Sequence, residues 1–388
     1  LCNAVNYLVR QVCIHGGGYS NVAAVYHRIK GHEAYCALPR KVSNDVLRQL
    51  DPDWRAIFAA HESWLVDPSK VLGRPRLPRY KDKQQGRNPL IDDIQAISLT
   101  GLRRGEVILP QLDISIRTKQ TAIKQVRIVP RKGYYIVEVA YERKPVPDAV
   151  NPSLCAGIDI GLNNLAALTS NKAGFVPRIG NGRPVKSINW FSNKRKAEVQ
   201  SRLGHPGTTV VVERLTAHRT RQINHYLHTA SRRIIDPLVA GSIGTLCIGK
   251  NPLWKQETNM GRQGNQNFVS VPYARFIAML TYKAELASIQ VSITEESYTS
   301  KASLLDAGPL PVYGAQRPEA PTFSGGRVKR GLYQAASGRR INADVNGAYN
   351  ILRKVLPDAF EAVDNLGKGI AGAAVHPVRL PVRTKRVA

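Results

Sequence analysis

A multidomain α+β protein is what this sequence predicts: a helical N-terminal part, an antiparallel β-barrel and a mixed α/β domain. Three observations carry that expectation. The chain has 388 residues, enough for two or three domains of ordinary size. Its hydrophobic pattern changes period, from helical spacing before residue 66, to alternation over 84–145, to mixed spacing after 154. Pro145, Pro147 and Pro152 mark a boundary near residue 150.

Residues 1–66 read as helices. Ala4, Leu8 and Gln11 with Val5 and Val9 form a stripe, and Gly16-Gly17-Gly18 breaks the chain after it. A further helix is expected near 46–50, and another through Trp54, Ile57, Phe58 and His61. Residues 67–83 read as a proline-punctuated segment in which Arg74, Arg76, Arg79, Tyr80 and Lys81 suit phosphate contacts; the bland alternative is a solvated linker. Ile114 and Ile116 alternate with polar neighbours. Val126 and Ile128, then Tyr135, Val137 and Val139, bracket Pro130-Arg131-Lys132-Gly133 as a hairpin. A small barrel is the expected closure of such strands.

After residue 150 a buried strand is expected over 154–160, followed by the turn Gly161-Leu162-Asn163-Asn164. Basic helices are expected over about 187–203 and 217–238, a strand over 244–248 and a helix starting at Pro272. A strand over 291–295, a loop over 297–340 and a helix over 345–355 complete the domain. The tail 364–388 is Gly/Pro-rich and basic, and no internal repeat is present.

Composition narrows the function. Lys and Arg number 56 against 28 Asp and Glu, a formal charge of +28. Such an excess points to a polyanionic partner, with binding that weakens steeply as salt rises. No run of about 18 apolar residues occurs, so no membrane span is expected. The chain opens Leu1-Cys2-Asn3 with no signal peptide and no Met, so the true N-terminus is expected to be missing. Its five cysteines are odd in number and form no CxxC pair, which argues against a disulfide framework and fits a cytoplasmic, nucleoid-associated protein. No HExxH, GxxxxGK[ST] or GxSxG motif occurs, which argues against a zincin, a P-loop and a nucleophile elbow. Lys250, Trp254 and Lys255 lie in a loop of amides and cations that suits base stacking and phosphate contacts; the equal alternative is that Trp254 anchors the loop in the core. Arg327, Lys329 and Arg330, beside Gly325-Gly326, suit a strand backbone.

Two aspartates stand where a catalytic metal site would need them. Asp159 lies in the apolar run Gly157-Ile158-Asp159-Ile160-Gly161, where an unpaired carboxylate is costly. Asp344 opens an amphipathic helix, a position that by itself reads as an ordinary cap. Together they match the need of phosphodiester hydrolysis for acids from separate elements around two Mg²⁺ ions about 4 Å apart. An Asp on a first strand and an Asp on a late helix is the layout of RNase-H-like nucleases.

These segments resemble a known family. Gly157-Ile158-Asp159-Ile160-Gly161-Leu162-Asn163-Asn164-Leu165-Ala166 resembles the first RuvC motif of TnpB, the OrfB-type protein of insertion sequences. Asp344-Val345-Asn346-Gly347-Ala348-Tyr349-Asn350-Ile351-Leu352 resembles the third. Tyr298-Thr299-Ser300-Lys301-Ala302-Ser303 looks like the TSxxC opening of the family's zinc finger, and Tyr282-Lys283-Ala284-Glu285 like the helix before it. The resemblance extends to the Gly-Arg-Pro-Arg-Leu-Pro-Arg-Tyr stretch at 73–80. It implies a helical recognition region over 1–66, a wedge (OB-like) barrel over 67–150 and a RuvC nuclease over 151–356. Within the last, 297–340 would be a degenerate zinc-finger, target-binding region, and 357–388 a basic tail. It also implies a guide RNA from the transposon end, a double-stranded DNA target and ancestry shared with type V CRISPR effectors.

The chain departs from that family twice. Ala302 stands where the first cysteine is expected and no cysteine follows Cys247, so no zinc is expected and 304–340 must be held otherwise or be mobile. The second-motif acid is also absent: the equivalent strand reads Leu246-Cys247-Ile248-Gly249-Lys250-Asn251. Glu296 or Glu295, ending the next strand, is the expected relocated ligand to Mg²⁺ beside Asp159 and Asp344; Glu213, in Val212-Glu213-Arg214-Leu215, is the alternative. The leading expectation is a Mg-dependent, RNA-guided DNA endonuclease. A guided DNA binder without cleavage is the second, and an actin- or sugar-kinase-like ATPase, suggested by Asp159-Ile160-Gly161, is the third.

Overall fold

The computed structural model describes residues 1–16, 18, 20–70, 73–83, 86–109, 112–145, 150–203, 207–251, 261–312, 321–357 and 376–382. The chain divides into two units, 1–143 and 144–388.

The first unit opens with α1 (Cys2–Ile14), α2 (Val22–Ile29), α3 (Glu33–Cys36) and α4 (Arg40–Val66). One helix, α4, runs where two were expected, and it continues through Pro52. Its buried stripe, Val42, Val46, Leu47, Leu50 and Trp54, is unbroken across the proline, so packing on Val5, Val9, Val25 and Ile29 outweighs the lost hydrogen bond. The basic segment 73–83 is tied to α1. Asn6 and Arg10 donate to the Pro78 carbonyl, and Asn3 exchanges two hydrogen bonds with the Lys81 backbone. This leaves Arg76, Arg79 and Lys81 exposed, while Arg74 lies 5.6 Å over the Trp64 ring and Arg10 5.1 Å over that of Tyr80.

Strands follow: β1 (Leu90–Asp93), the short helix α5 (Leu99–Arg103), β2 (Glu106–Leu109), β3 (Ile114–Arg117), β4 (Ile123–Arg131) and β5 (Tyr134–Tyr141). The hairpin turns at Lys132-Gly133, where Gly133 takes a φ of 77°. The expected barrel is not closed among the described residues. Strands β1-β4-β5 form one sheet and β2-β3 a separate ribbon. The two share a core of Val107, Leu109, Ile123, Val126 and Ile128. Side-chain burial holds them together without a continuous hydrogen-bond ladder.

The second unit holds β6 (Asn151–Asp159), β7 (Asn164–Ser170), β8 (Arg178–Asn181), α6 (Arg183–Ser201), α7 (Val210–Ala240) and β9 (Ile243–Gly249). It continues with α8 (Gly261–Val269), α9 (Tyr273–Glu285), β10 (Gln290–Thr294), β11 (Gly326–Lys329), β12 (Leu332–Gln334), β13 (Arg340–Asn342), α10 (Ala343–Val355) and β14 (Val378–Arg379). The main sheet has the order β10-β9-β6-β7-β8-β14, and β7 alone runs against the rest. A three-strand meander followed by two parallel additions on its far edge is the RNase-H-like strand order.

Alternation along β6 and β9 sorts the two faces of the sheet. Ala156, Ile158, Leu246 and Ile248 enter the core with Leu227 and Ile234 of α7 and Phe276 and Leu280 of α9. Cys155 and Cys247 face the other way, onto Ile351 and Leu352 of α10. Asp159 has the parity of Cys155 and so emerges on the α10 face. Helix α10 lies hard against the sheet there. A Cβ on Gly157 would sit 2.3 Å from the Ala348 carbonyl oxygen, so only glycine fits.

Where sequence suggested a loop at 297–340, β11, β12 and β13 form a small antiparallel sheet. Hydrogen bonds fasten it. Asp306 Oδ2 accepts from Ser324 Oγ at 3.0 Å and from the Ala336 amide at 2.9 Å, and Ser303 Oγ accepts from the Asp306 amide at 3.2 Å. Tyr333 donates to the Lys301 carbonyl at 2.7 Å. From α10, Asn346 and Asn350 both donate to the Ala302 carbonyl at 2.8 Å.

Two stability outcomes follow from these contacts. Gly157→Ala should lower the unfolding temperature of the full chain, at a cost of about 1–3 kcal/mol or more from overpacking. Gly326→Ala, with nothing within 4 Å of the added carbon, should change it little. Asp306→Ala should expose 301–340 to limited proteolysis while leaving the unfolding of the main sheet nearly unchanged, because the acceptor shared by Ser324 and Ala336 is lost.

Candidate active site

Two carboxylates, Glu296 and Asp344, lie near enough to act on a third, Asp159, on the α10 face of the main sheet. Asp159 ends β6 beside α10, and a Cβ on Gly347 would lie 2.6 Å from its Oδ2. The missing side chain at 347 is therefore the room that Asp159 occupies. Burial pushes the Asp159 carboxyl up to about 8, and the nearby charges of Glu296 and Asp344 add to that; Arg327 opposes it.

Asp344 reaches the site from the first turn of α10. Asn342 caps that helix, its side chain accepting from the Asp344 and Val345 amides at 3.1 and 3.2 Å. This leaves the Asp344 carboxylate free of the capping role that sequence alone suggested. Asn164, at the start of β7, donates to Asp344 Oδ2 at 2.6 Å. Residues 161–164 form a tight turn, in which a Cβ on Gly161 would meet the Asn164 carbonyl oxygen at 2.8 Å.

The third acid at the site is Glu296. It follows β10, whose partner β9 ends level with it at Gly249. A Cβ on Gly249 would lie 2.9 Å from Glu296 Oε2, so the Glu296 carboxylate fills the space a side chain at 249 would take. Its backbone is fixed from two sides. The Glu296 amide donates to Asn251 Oδ1 at 3.0 Å, and its carbonyl accepts from Thr299 Oγ1 at 2.8 Å. Burial first, and Glu295 next, push its carboxyl up to about 7, against the pull of Lys354.

The other two candidates stand elsewhere. Glu295 pairs with Lys354; burial raises its carboxyl, but the donations from Lys354 and Ser297 win and hold it below the usual range. Glu213 sits in the first turn of α7, inside the helix it was expected to precede, where it suits the helix dipole. The charges acting on Asp159 are those of Glu296, Asp344 and Arg327, and Glu213 is not among them.

A cleft of about 390 Å³ opens beside Asp344. Arg183, Arg327, Arg330 and Arg379 line it together with Asn163, Asn164 and Asn181. Arg327 and Arg330 were singled out in the sequence; Lys329 is exposed on β11 and does not line the cleft. Arg183 and Arg379 were missed, since nothing local separates them from the other arginines. Lys250 is half-buried, its amide donating to the Thr294 carbonyl at 2.8 Å. Trp254 and Lys255 lie outside the described residues. Arg74, Arg76, Arg79, Tyr80 and Lys81 belong to the first unit.

The donor set is all carboxylate oxygen, which suits a hard divalent cation, and the glycines at 249 and 347 leave the space that the Glu296 and Asp159 carboxylates fill. Among the described residues no three His, Cys, Asp or Glu side chains stand at ready ligand spacing. Glu296 and Asp344 are close enough to act on Asp159 without the three forming a finished cage.

Comparison with known proteins places the chain beside several relatives. The family described as OrfB_IS605, probable transposase, matches residues 137–254, which include Asp159 and Gly249. The Cas12f1-like TNB domain matches 273–351, which include Glu296 and Asp344. TnpB-like protein ORF457 of Acidianus two-tailed virus is 23% identical over 406 residues, covering 92% of this chain and 81% of that protein. The cryo-EM structure of a Cas12f1–sgRNA–target DNA complex has a similar fold, with a TM-score of 0.52 at 16% identity, covering 90% of this chain and 80% of that one. With family matches over 137–254 and 273–351 and a viral TnpB-like relative aligned along 92% of this chain, the chain is a TnpB-type protein.

Proposed function

We propose that this protein is an RNA-guided DNA endonuclease of an insertion sequence, cutting phosphodiester bonds at Asp159, Glu296 and Asp344. The observation that carries the reading is that Glu296 and Asp344 both lie near enough to act on Asp159, with Asp344 lining a cleft rich in arginine. The guide is an RNA from the transposon end and the target is double-stranded DNA; the +28 charge and the sgRNA and target DNA in the similar Cas12f1 complex support such partners.

Magnesium ions held by the three acids would activate water and stabilise the leaving oxygen. The chain's own residues prepare that chemistry. Asn164 turns Asp344 toward the site, and Gly347 makes space for Asp159. Arg327, near enough to act on Asp159, and Arg330, Arg183 and Arg379 along the cleft are placed to take the phosphates of a single strand. A guided DNA binder without cleavage is the second reading, and the absence of a ready cage among the described residues favours it. The ATPase reading lacks a second phosphate loop in the sequence.

Plasmid cleavage with guide RNA and Mg²⁺ separates the first two readings. Asp159→Ala and Asp344→Ala should each reduce cutting by at least about a hundredfold while leaving RNA affinity within about twofold. Glu296→Gln should behave the same way, whereas Glu213→Ala should cut normally. If Glu213→Ala alone is inactive, the assignment of Glu296 is wrong. Gly249→Glu combined with Glu296→Ala and Ile351→Ala should recover part of the activity, since Ile351 is the other group that a side chain at 249 would meet.

Protonation gives an independent outcome. With Asp159 near 8 and Glu296 near 7, a cation entering at pH 7 must displace protons. Calorimetric titration with Mg²⁺ should show proton release at pH 7, and affinity that falls by about tenfold or more from pH 8 to pH 6. The raised carboxyl of Asp159 also means that the metal-free fold loses stability as pH climbs from about 4 toward 8, where the native state gives up its proton. Asp159→Asn should therefore raise the unfolding temperature in EDTA at pH 8.5, and by less at pH 5.

A further inference from the structure

We infer that Lys354 is a positioning residue that fixes the relocated acid Glu296 to the helix bearing Asp344; the inference rests on Glu296 being a ligand of the proposed site. Lys354 lies in the last turn of α10, and its side chain is only 7% exposed. A lysine so enclosed needs partners on all sides of its ammonium. Both of its partners flank Glu296. It pairs with the Glu295 carboxylate and donates to the Ser297 carbonyl at 2.8 Å. The residues before and after Glu296 are thus pinned to one point on α10.

That helix is the common frame of the site. Asp344 lies in its first turn, Gly347 receives Asp159, Ile351 abuts Gly249, and Lys354 holds the turn 295–297. From residue 344 to residue 354 is about 15 Å along the axis. Strand β9 carries no acid at 249, so the third carboxylate comes instead from the turn that follows β10. Asn251 and Thr299 hold the Glu296 backbone but belong to the loops on either side. Asn350 of α10 donates to the Thr299 carbonyl at 2.9 Å, and Lys354 is the contact that grips the residues on either side of Glu296 themselves, so the length of α10 between 344 and 354 helps set the spacing of two of the three acids. Ordinary surface pairing does not account for it, because Glu295 is 31% exposed while the lysine is enclosed.

The test compares Lys354→Met, Lys354→Arg and Glu295→Ala with Glu296→Gln in the full chain bound to guide RNA. Glu296→Gln is expected to be inactive. Lys354→Met is expected to lower kcat at least tenfold, to raise the Mg²⁺ concentration needed for half-maximal cutting severalfold, and to leave target affinity within twofold. Lys354→Arg should recover part of kcat. Glu295→Ala should move in the same direction by less, and adding it to Lys354→Met should do little more. Two readouts need no cutting: amide exchange of 295–299 in the metal-free chain should speed up, and the rise in unfolding temperature on adding Mg²⁺ should shrink. If Lys354→Met does not fold, Glu295→Ala carries both readouts. An inactive Glu296→Gln beside a Lys354→Met and a Glu295→Ala that keep normal Mg²⁺ dependence and normal exchange overturns the positioning role alone. A fully active Glu296→Gln overturns the site reading on which it stands.

Discussion

The close approach of α10 to strand β6 at Gly157 is the contact on which the rest of the site depends. With no side chain at 157, the helix backbone at Ala348 comes within van der Waals reach of the sheet. At ordinary helix–sheet spacing, Asp344 would stand away from Asp159 and Gly347 would have nothing to make room for. Both faces of the sheet are paid in apolar contacts, α7 and α9 on one and Ile351 and Leu352 of α10 on the other, so the helix cannot lift without exposing Cys155 and Cys247.

Bringing acids together this way works against stability. Burial raises the carboxyls of Asp159 and Glu296 far above their ordinary range, with Glu296 and Asp344 adding to it at Asp159 and Glu295 at Glu296, so near pH 7 the metal-free site keeps protons to limit a charge that its burial makes unfavourable. A divalent cation is the partner that would relieve it, and the surrounding scaffold must be stiff enough to hold the acids until one arrives. Asn342, Asn164, Asn251 and Thr299 supply that stiffness with hydrogen bonds to backbone and carboxylate.

The region between Tyr298 and Asp344 solves a related problem without cysteines. Asp306 gathers Ser324 and the Ala336 amide, while Ser303 caps the Asp306 amide. Donation from these groups keeps the Asp306 carboxyl low despite burial. The small sheet β11-β12-β13 thereby sits beside the cleft with Arg327 and Arg330 facing it. The side-chain amides of Asn346 and Asn350 fasten this segment to α10 by donating to the Ala302 carbonyl.

Sequence alone determined the large features because they follow from local rules. Alternation along 154–160 announced β6 and its outward-facing Asp159, the spacing of Val345, Ala348 and Leu352 announced α10, and the charge balance announced a polyanionic partner. It narrowed the third acid to three glutamates and could go no further. The proposal of Glu296 among them rests on tertiary contacts, its carboxylate filling the space at Gly249 and acting on Asp159, and the buried Lys354 taking Glu295 away. The continuous α4, the unclosed strands of the first unit and the arginines of the cleft were hidden for the same reason. Each depends on groups far apart in the chain, and proximity between distant segments leaves no periodicity in the sequence to read.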